Sequence, residues 1–434
     1  MTFEVIHKPT FANQLRALPK DRIVQILDLR GLMKDAIAGA QVEGNALVRR
    51  RQMATLDRLT PNYLLEEITG VIEARALGSL SEYLAAPRAG RRVRLNEVQR
   101  AAVWRVHEAP ARLLKRRGVS AFAGVRRRAA ELVQTGRAAD RYDAVVVDEA
   151  QDLDATVLRL LMGLCAAPDR LFVTADANQS IYGSSFRWTD VHADLRFQGR
   201  TGILRKNYRT TREIGEAAQA YLQAGTLDDE PVERAYTQMG GPLPVVRSVA
   251  SVVAEAELLV QFLRLAAREA RQGLGGCAVL VPSEAAGQAI ATRLTAAGLP
   301  SAYMPGRDID LEKPMVKVLT LQSAKGLEFP VVAVAGFAGG GSYGVSRDAD
   351  ADETEEAHQR RRRTMFVAMT RAMRGLLIVS PEAPSYIWLP ARCCIGPAAT
   401  PSRSLLLVGR APSTDAGGDL AIGLGYVEVS PDGG

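Results

Sequence analysis

From Tyr142 onward the chain alternates short apolar runs with helix-length segments, and no other feature restricts its fold so tightly. DAVVVDEA, RLFVTAD and GILRKNY come first. A second set begins near Leu243, where PVVRSVA, CAVLVPS, VKVLTL, PVVAVAG and GLLIVS frame the helices EAELLVQFLRLAAREA and EAAGQAIATRLTAAG. A strand that is apolar at successive positions has both faces covered, and a connection long enough to hold a helix joins parallel neighbours. The expectation is an α/β protein with two parallel-sheet units in tandem, over 141–235 and 236–385. With 434 residues, 47% hydrophobic and 24% charged, the chain has the length and balance for it.

The segment before Tyr142 has another rhythm. Over 60–140, YLLEEITGVIEARAL, LNEVQRAAVWRVHEAPARLLKRRG and FAGVRRRAAELVQTG return an apolar residue every three or four positions, which predicts helices. Basic residues concentrate here: 43–128 holds 18 Lys/Arg against 8 Asp/Glu, whereas 129–434 holds 31 against 36. The clusters are Arg49, Arg50 and Arg51; Arg88, Arg91, Arg92 and Arg94; Lys115, Arg116 and Arg117; and Arg126, Arg127 and Arg128. Such a patch suits a polyanion, because each neutralised phosphate releases counterions; arginines on solvated helix faces are the plainer explanation.

The start, 1–42, reads as a strand, MTFEVIH, and an amphipathic helix through Leu15, Leu18, Ile23, Ile26, Leu27 and Leu29, detached from the helices of 60–140. The end, 386–434, is rich in Pro, Gly, Ser and Ala and is expected to be poorly ordered. Cys165, Cys277, Cys393 and Cys394 have neither zinc-type spacing nor disulfide density. No apolar stretch approaches the roughly 20 residues of a membrane span, and MTFEVIHKPTF is not ordered like a signal peptide, so a cytoplasmic protein is expected.

Chemistry gathers at strand ends. VVVDEAQDLD carries Asp148 and Glu149 to the carboxyl edge of a sheet, where ligands bind in open α/β folds. Asp148 there suits Mg²⁺, and Glu149 suits the activation of a water. LFVTADANQSIYG repeats the layout with Asp176 and then Gln179, an amide able to address a phosphate. In GRTGILRKNYRTTREI, Arg209 follows a strand and opens a helix, where a guanidinium can clamp a phosphoryl group. VKVLTLQSAKGLEFPVVAVAG reads as strand, tight turn and strand, with Thr320, Gln322, Ser323 and Lys325 as polar groups and Gly326 allowing close approach. RRRRTMFVAMTRAMRGLLIV puts Arg371 between a helix and a strand.

DEAQD, ADANQSIYG, LRKNYRTT, LTLQSAKGLEF and MFVAMTRA stand in the order and approximate spacing of motifs II to VI of UvrD/Rep-type superfamily 1 DNA helicases, and the resemblance spans 142–380. It implies two RecA-like domains with a DNA-binding helical arm, 43–140, inserted into the first. It also implies ATP and Mg²⁺ as cofactors, with single-stranded or tailed duplex DNA and a protein as partners. Asp148 would bind Mg²⁺, Glu149 would activate water, Gln179 would contact the terminal phosphate, and Arg209 and Arg371 would be arginine fingers. Gly326 and Glu328 would lie by the nucleotide, Tyr182 or Trp188 would stack on bases, and Thr320 and Ser323 would touch the DNA backbone. Arg126, Arg127 and Arg128 fall in the arm and would meet DNA. The first strand–helix segment resembles the opening of RelE/ParE-type toxin folds and carries no toxin site.

One part of the pattern is missing. No GxxxxGK[ST] phosphate loop occurs; the nearest spacing, Gly39 to Ala46, has Asn45 in place of the lysine and Ala46 in place of the hydroxyl. LNEVQ at 95–99 imitates an adenine-reading motif but no phosphate loop follows it. Gln322 stands where relatives often have His, and Arg360 and Arg361 stand at positions often acidic. The first RecA-like domain is therefore expected to be incomplete. Two functions remain: an enzyme coupling ATP hydrolysis to 3′ to 5′ movement on DNA, or a truncated or non-catalytic relative that binds DNA without hydrolysing ATP.

Overall fold

The computed structural model describes residues 23–24, 33–88, 91, 93–116, 120–135, 141–150, 153–175, 202, 204, 206–223, 235–237, 240–249, 251–306, 309–337, 351–380 and 394–397. Helices come first. α1 (Ala46–Arg58) starts on Asn45, whose Oδ1 accepts from the Val48 amide at 2.9 Å, so the asparagine in the near-match to a phosphate loop is a helix cap. α2 (Pro61–Glu67) is capped by Thr60 and runs into a π-helical stretch, Ile68–Glu73. α3 (Leu80–Ala85) is capped by Ser79. α4 (Glu97–Arg116) opens with a reciprocal pair: the Asn96 amide donates to Gln99 Oε1 at 2.9 Å and the Gln99 amide to Asn96 Oδ1 at 3.0 Å. That pair absorbs the glutamine of LNEVQ.

These helices share one core containing Leu64, Ile72, Tyr83, Val103 and Val106, and Met33 and Ala36 are buried in it. The described end of the first segment, from Met33, is therefore not detached, because its apolar side chains belong to this core. Nor is it helical throughout: β1 (Ile23–Val24) pairs in parallel with β2 (Ser120–Ala121), a partner that local periodicity cannot reveal. α5 (Phe122–Gln134) packs instead on the following unit.

That unit has, among the described residues, a two-stranded parallel sheet, β3 (Val145–Val147) and β4 (Leu171–Val173). α6 (Ala155–Leu164), capped by Asp154, covers one face through Ala155, Leu158 and Met162. Ala129, Ala130 and Val133 of α5 meet Leu160 and Leu164 of α6, and Gly163 permits this, since a Cβ there would come within 2.6 Å of Val133. The cross-strand partners Val146 and Phe172 are 72% and 62% exposed, so this part of the sheet is bare.

Glu73, at the end of the π-helical stretch, sits between the helical region and this unit. Burial raises its pKa from 4.5 to about 7, against the pull of Arg126 and Arg127 and with the push of Asp154. A folded pKa above the unfolded one means that its contribution is full below pH 4.5 and is lost as pH rises through about 7. Glu73→Gln should therefore raise the urea midpoint relative to wild type at alkaline pH and leave it nearly unchanged in mild acid. Equal shifts at both pH values would refute this.

β5 (Lys206–Asn207) pairs with β6 (Ala235–Tyr236), and α7 (Arg212–Gln223) lies between them in sequence. The second unit is a seven-stranded parallel sheet in the order β13, β7, β12, β11, β8, β10, β9. Its strands are β7 (Val245–Ser248), β8 (Cys277–Val281), β9 (Ser301–Tyr303), β10 (Val316–Thr320), β11 (Phe329–Val334), β12 (Ala372–Ser380) and β13 (Cys394–Pro397). All five residues of β8 are buried, as a central strand requires. α8 (Val252–Glu269) and α9 (Glu284–Ala296), capped by Ser251 and Ser283, cover one face; α7 and α10 (Ala351–Met369) cover the other.

Two details differ from expectation. β10 and β11 do not form a tight-turn pair, because β8 lies between them and 321–328 crosses over to begin the next parallel strand. And β13, inside the segment expected to be poorly ordered, adds an edge strand to β7. No described helix is long and apolar enough to cross a membrane.

Candidate functional site

Asp148 and Glu149 follow β3 directly, at the carboxyl end of the small sheet, and both are exposed. The loops after β3 and β4 are stitched together: the Thr174 amide donates to Val147 O at 2.8 Å and the Ala150 amide to Thr174 O at 2.9 Å. Asp148 Oδ1 accepts from the Thr174 hydroxyl and, at 3.0 Å, from the Glu149 amide. Glu149 has φ +55°, a left-handed conformation that costs a non-glycine residue roughly 1–3 kcal/mol and recurs where side chains are held for chemistry.

The other charged groups converge on one loop. Asn207 Oδ1 accepts from the amides of Arg209 (2.9 Å) and Thr210 (3.1 Å), a local turn that aims Arg209 toward the second unit. Arg209 Nη2 lies 2.5 Å from Glu328 Oε1, with the side chains 44% and 33% exposed. A pair this open contributes at most about 1 kcal/mol, so a phosphate could displace Glu328. Arg371, just beyond α10, is 2% exposed; its Nε donates to Val367 O at 3.1 Å and its Nη1 to Leu327 O at 3.4 Å. Its carbonyl accepts from the Phe329 amide at 3.0 Å. Arg209 and Arg371 thus bracket the loop Gly326–Phe329 from two sides.

Gly326 has φ +80°, and no atom lies within 4 Å of where its Cβ would be, so the backbone rather than space demands glycine. At the end of β10 the hydroxyls of Thr320 and Ser323 are 2.8 Å apart, and the Ser323 amide donates to Thr320 Oγ1 at 3.1 Å. Gln179, Tyr182 and Trp188 lie outside the described residues.

The arginine clusters divide. Arg126 Nη1 is 2.6 Å from Asp154 Oδ2, so it braces the start of α6, whereas Arg127 and Arg128 are more than half exposed. Arg49, Arg50, Arg51 and Arg94 are exposed, but Arg88 and Arg91 are buried against Glu67 and so leave the polyanion patch. Sequence reasoning missed Thr174, Asn207 and Asp154. The last had a readable signal, an aspartate just before an apolar helical run; Thr174 had none, since it meets Asp148 only through strand pairing.

For a divalent cation, Asp148 offers a carboxylate at an open strand end. No group of three or more His, Cys, Asp or Glu side chains that could cage a metal occurs among the described residues. That donor set fits Mg²⁺, which is commonly held by one or two carboxylates with water and substrate phosphates. It does not supply a phosphate cradle.

Helicase domains match on both sides of this site. Residues 79–201 match the UvrD/REP helicase N-terminal domain and residues 305–382 the UvrD-like helicase C-terminal domain. The chain therefore carries a UvrD/REP helicase N-terminal domain and a UvrD-like helicase C-terminal domain over these two stretches. Over 102 residues it is 33% identical to the RecBCD enzyme subunit RecB from two strains of Mycobacterium tuberculosis, a match covering 23% of this chain and 9% of RecB. Among solved structures, the C-terminal domain of a possible DNA helicase from Lactobacillus plantarum aligns at 22% identity, covering 43% of this chain and 93% of that one, with a TM-score of 0.30. The PRRSV helicase aligns at 16% identity, covering 55% and 35%, with a TM-score of 0.28.

Proposed function

We propose that this chain is part of an ATP-driven motor that moves 3′ to 5′ on single-stranded DNA, with two RecA-like units and the helical region, 43–140, as its DNA-binding arm. The convergence of Arg209 and Arg371 on the Gly326–Phe329 loop, Arg209 through Glu328 and Arg371 through Leu327 O, is the observation that carries this reading. Asp148 holds Mg²⁺, and Glu149 orients and deprotonates a water. Arg209 and Arg371 stabilise the charge on the phosphoryl group in flight. Gln179 senses the terminal phosphate, Tyr182 or Trp188 stacks on bases, and Thr320 and Ser323 contact the DNA backbone. Arg127 and Arg128 remain available to phosphates on the arm. ATP bound with Mg²⁺ supplies the phosphoryl transfer chemistry. RecB's description as a subunit supports a protein partner, and the reading places the protein in the cytoplasm.

A second reading is favoured by one specific observation, the lack of a GxxxxGK[ST] loop. In it the chain binds DNA and does not hydrolyse ATP alone. Purified chain assayed with and without single-stranded DNA separates the two. The motor predicts DNA-stimulated hydrolysis that falls about 100-fold or more in Glu149→Gln, with DNA affinity retained. DNA binding without any hydrolysis, unchanged by that substitution, selects the second reading.

A further inference from the structure

The helical region touches both halves of the candidate site. At one end, Ala74 O accepts from the Thr156 amide at 3.2 Å and hydroxyl at 3.1 Å, and Arg75 O accepts from Arg159 Nη1 at 3.0 Å. Thr156 and Arg159 lie on α6, the helix that follows the Asp148–Glu149 turn. At the other end the contact is ionic, buried around Glu67 and Glu356 and half-exposed at Glu66 and Arg360. Glu67 of α2, fully buried, accepts from Arg88 Nε at 2.6 Å, from the Tyr83 hydroxyl at 2.7 Å and from Arg91 Nε at 2.9 Å. Arg91 then reaches out of the helical region: its Nη1 is 2.9 Å from Glu356 Oε2 on α10. The other oxygen of Glu356 accepts from the Val93 amide at 3.1 Å, and one turn further along α10 both terminal nitrogens of Arg360 donate to Glu66.

α10 is the helix that delivers Arg371. Met365 to Met369, its last five residues, are all buried in the core of the second unit, so its far end is fixed to the sheet. Thirteen residues separate Glu356 from Met369, about 20 Å at the helical rise. A helix held by packing at one end and by ion pairs at the other passes a displacement along its axis rather than bending locally. Buried charge networks are also a poor way to gain stability compared with apolar packing, so the buried groups Glu67, Tyr83, Arg88, Arg91 and Glu356, with the half-exposed pair Glu66 and Arg360 beside them, ask for a role in registration.

We propose that Glu356 and Arg360 are positioning residues: through α10 they set the placement of Arg371 and the Gly326–Phe329 loop according to the position of the helical region, and so link DNA on the arm to the nucleotide side. The second half of that statement rests on the function proposed above; the first does not.

Hydrogen exchange on the full-length chain tests both. Without ligand, Arg360→Glu should lower protection of the amides in 326–329 and 367–372 about tenfold while the sheet core at 277–281 keeps its own, and the exchanged pair Glu66→Arg with Arg360→Glu should restore it. Adding an oligothymidylate should change protection of the same segments in wild type and in the exchanged pair, but not in Arg360→Glu or Glu356→Gln, with the affinity for the oligonucleotide kept within about twofold. Unaltered protection in Arg360→Glu, or a loss spread evenly over the whole unit and not restored by the exchange, overturns the positioning role. An oligothymidylate that does not bind wild type overturns the DNA reading instead, and the ligand-free comparison still decides the first half.

Discussion

Glu67→Ala should lower the stability of the helical region by about 3–5 kcal/mol, the usual result of removing one member of a buried ionic network. Glu67 is 0% exposed and takes hydrogen bonds from Arg88, Arg91 and Tyr83. Burial by itself would raise its pKa, but the Arg88 hydrogen bond and the charges of Arg88 and Arg91 outweigh that and hold it below the usual carboxylate range. Alanine would leave two guanidinium groups and a phenol in an apolar core, each short of a partner. Since the folded pKa is lowered, the carboxylate's contribution is present above the unfolded value and lost as pH falls, so wild type should approach the variant in strong acid. Urea denaturation followed by circular dichroism at neutral and acid pH measures both effects. A loss below about 1 kcal/mol at neutral pH would mean that water enters the cluster.

The two arginines at the Gly326–Phe329 loop should part company when each is replaced by alanine. Arg371→Ala removes a side chain that is 2% exposed, opens a cavity and strips Val367 O and Leu327 O of donors; a loss of about 2–4 kcal/mol is expected. Arg371→Lys should recover only part of it, because an ammonium on a single stem cannot reproduce the geometry of a planar fork. Arg209→Ala severs a pair that is 44% and 33% exposed and should change stability by less than about 1 kcal/mol. If the chain hydrolyses ATP, both substitutions should reduce turnover about a thousandfold or more. Thermal or urea midpoints measured beside turnover decide the matter: comparable destabilisation by the two would contradict their difference in burial.

The parallel sheets were legible because their physical cause is local. A strand covered on both faces must be apolar throughout, and CAVLV is buried at all five positions. Asp148 and Glu149 do end an apolar strand as its sequence suggests, but Val146 of that strand is 72% exposed, so an apolar run there does not mean cover on both faces. What could not be read was whatever depends on distant partners. β8 separates β10 from β11 although it precedes both in sequence. Arg88 and Arg91 look like members of a basic patch until Glu67 and Glu356 are brought to them across 21 to 265 positions of sequence. In the run Arg126 to Arg128, successive helical residues point about 100° apart, so only the first faces Asp154 while the others stay in water. Ile23 fits a helical stripe, yet pairing of Ile23 and Val24 with Ser120 and Ala121 makes them a strand.

The bare face of the β3–β4 sheet has a consequence for how the site works. Two strands do not sustain a sheet alone, and among the described residues one helix, α6, secures them while Val146 and Phe172 are exposed. Asp148 and Glu149 therefore stand on a two-stranded sheet with one bare face among the described residues, whereas Arg371 stands beside a seven-stranded sheet packed on both faces. Any ligand that bridges the two must do the work of quieting the acidic side, and its apparent affinity is lowered by the fraction of time that side spends open. Whatever covers Val146 and Phe172 would steady the strands that end in the carboxylates, and would strengthen the grip on such a ligand without touching it.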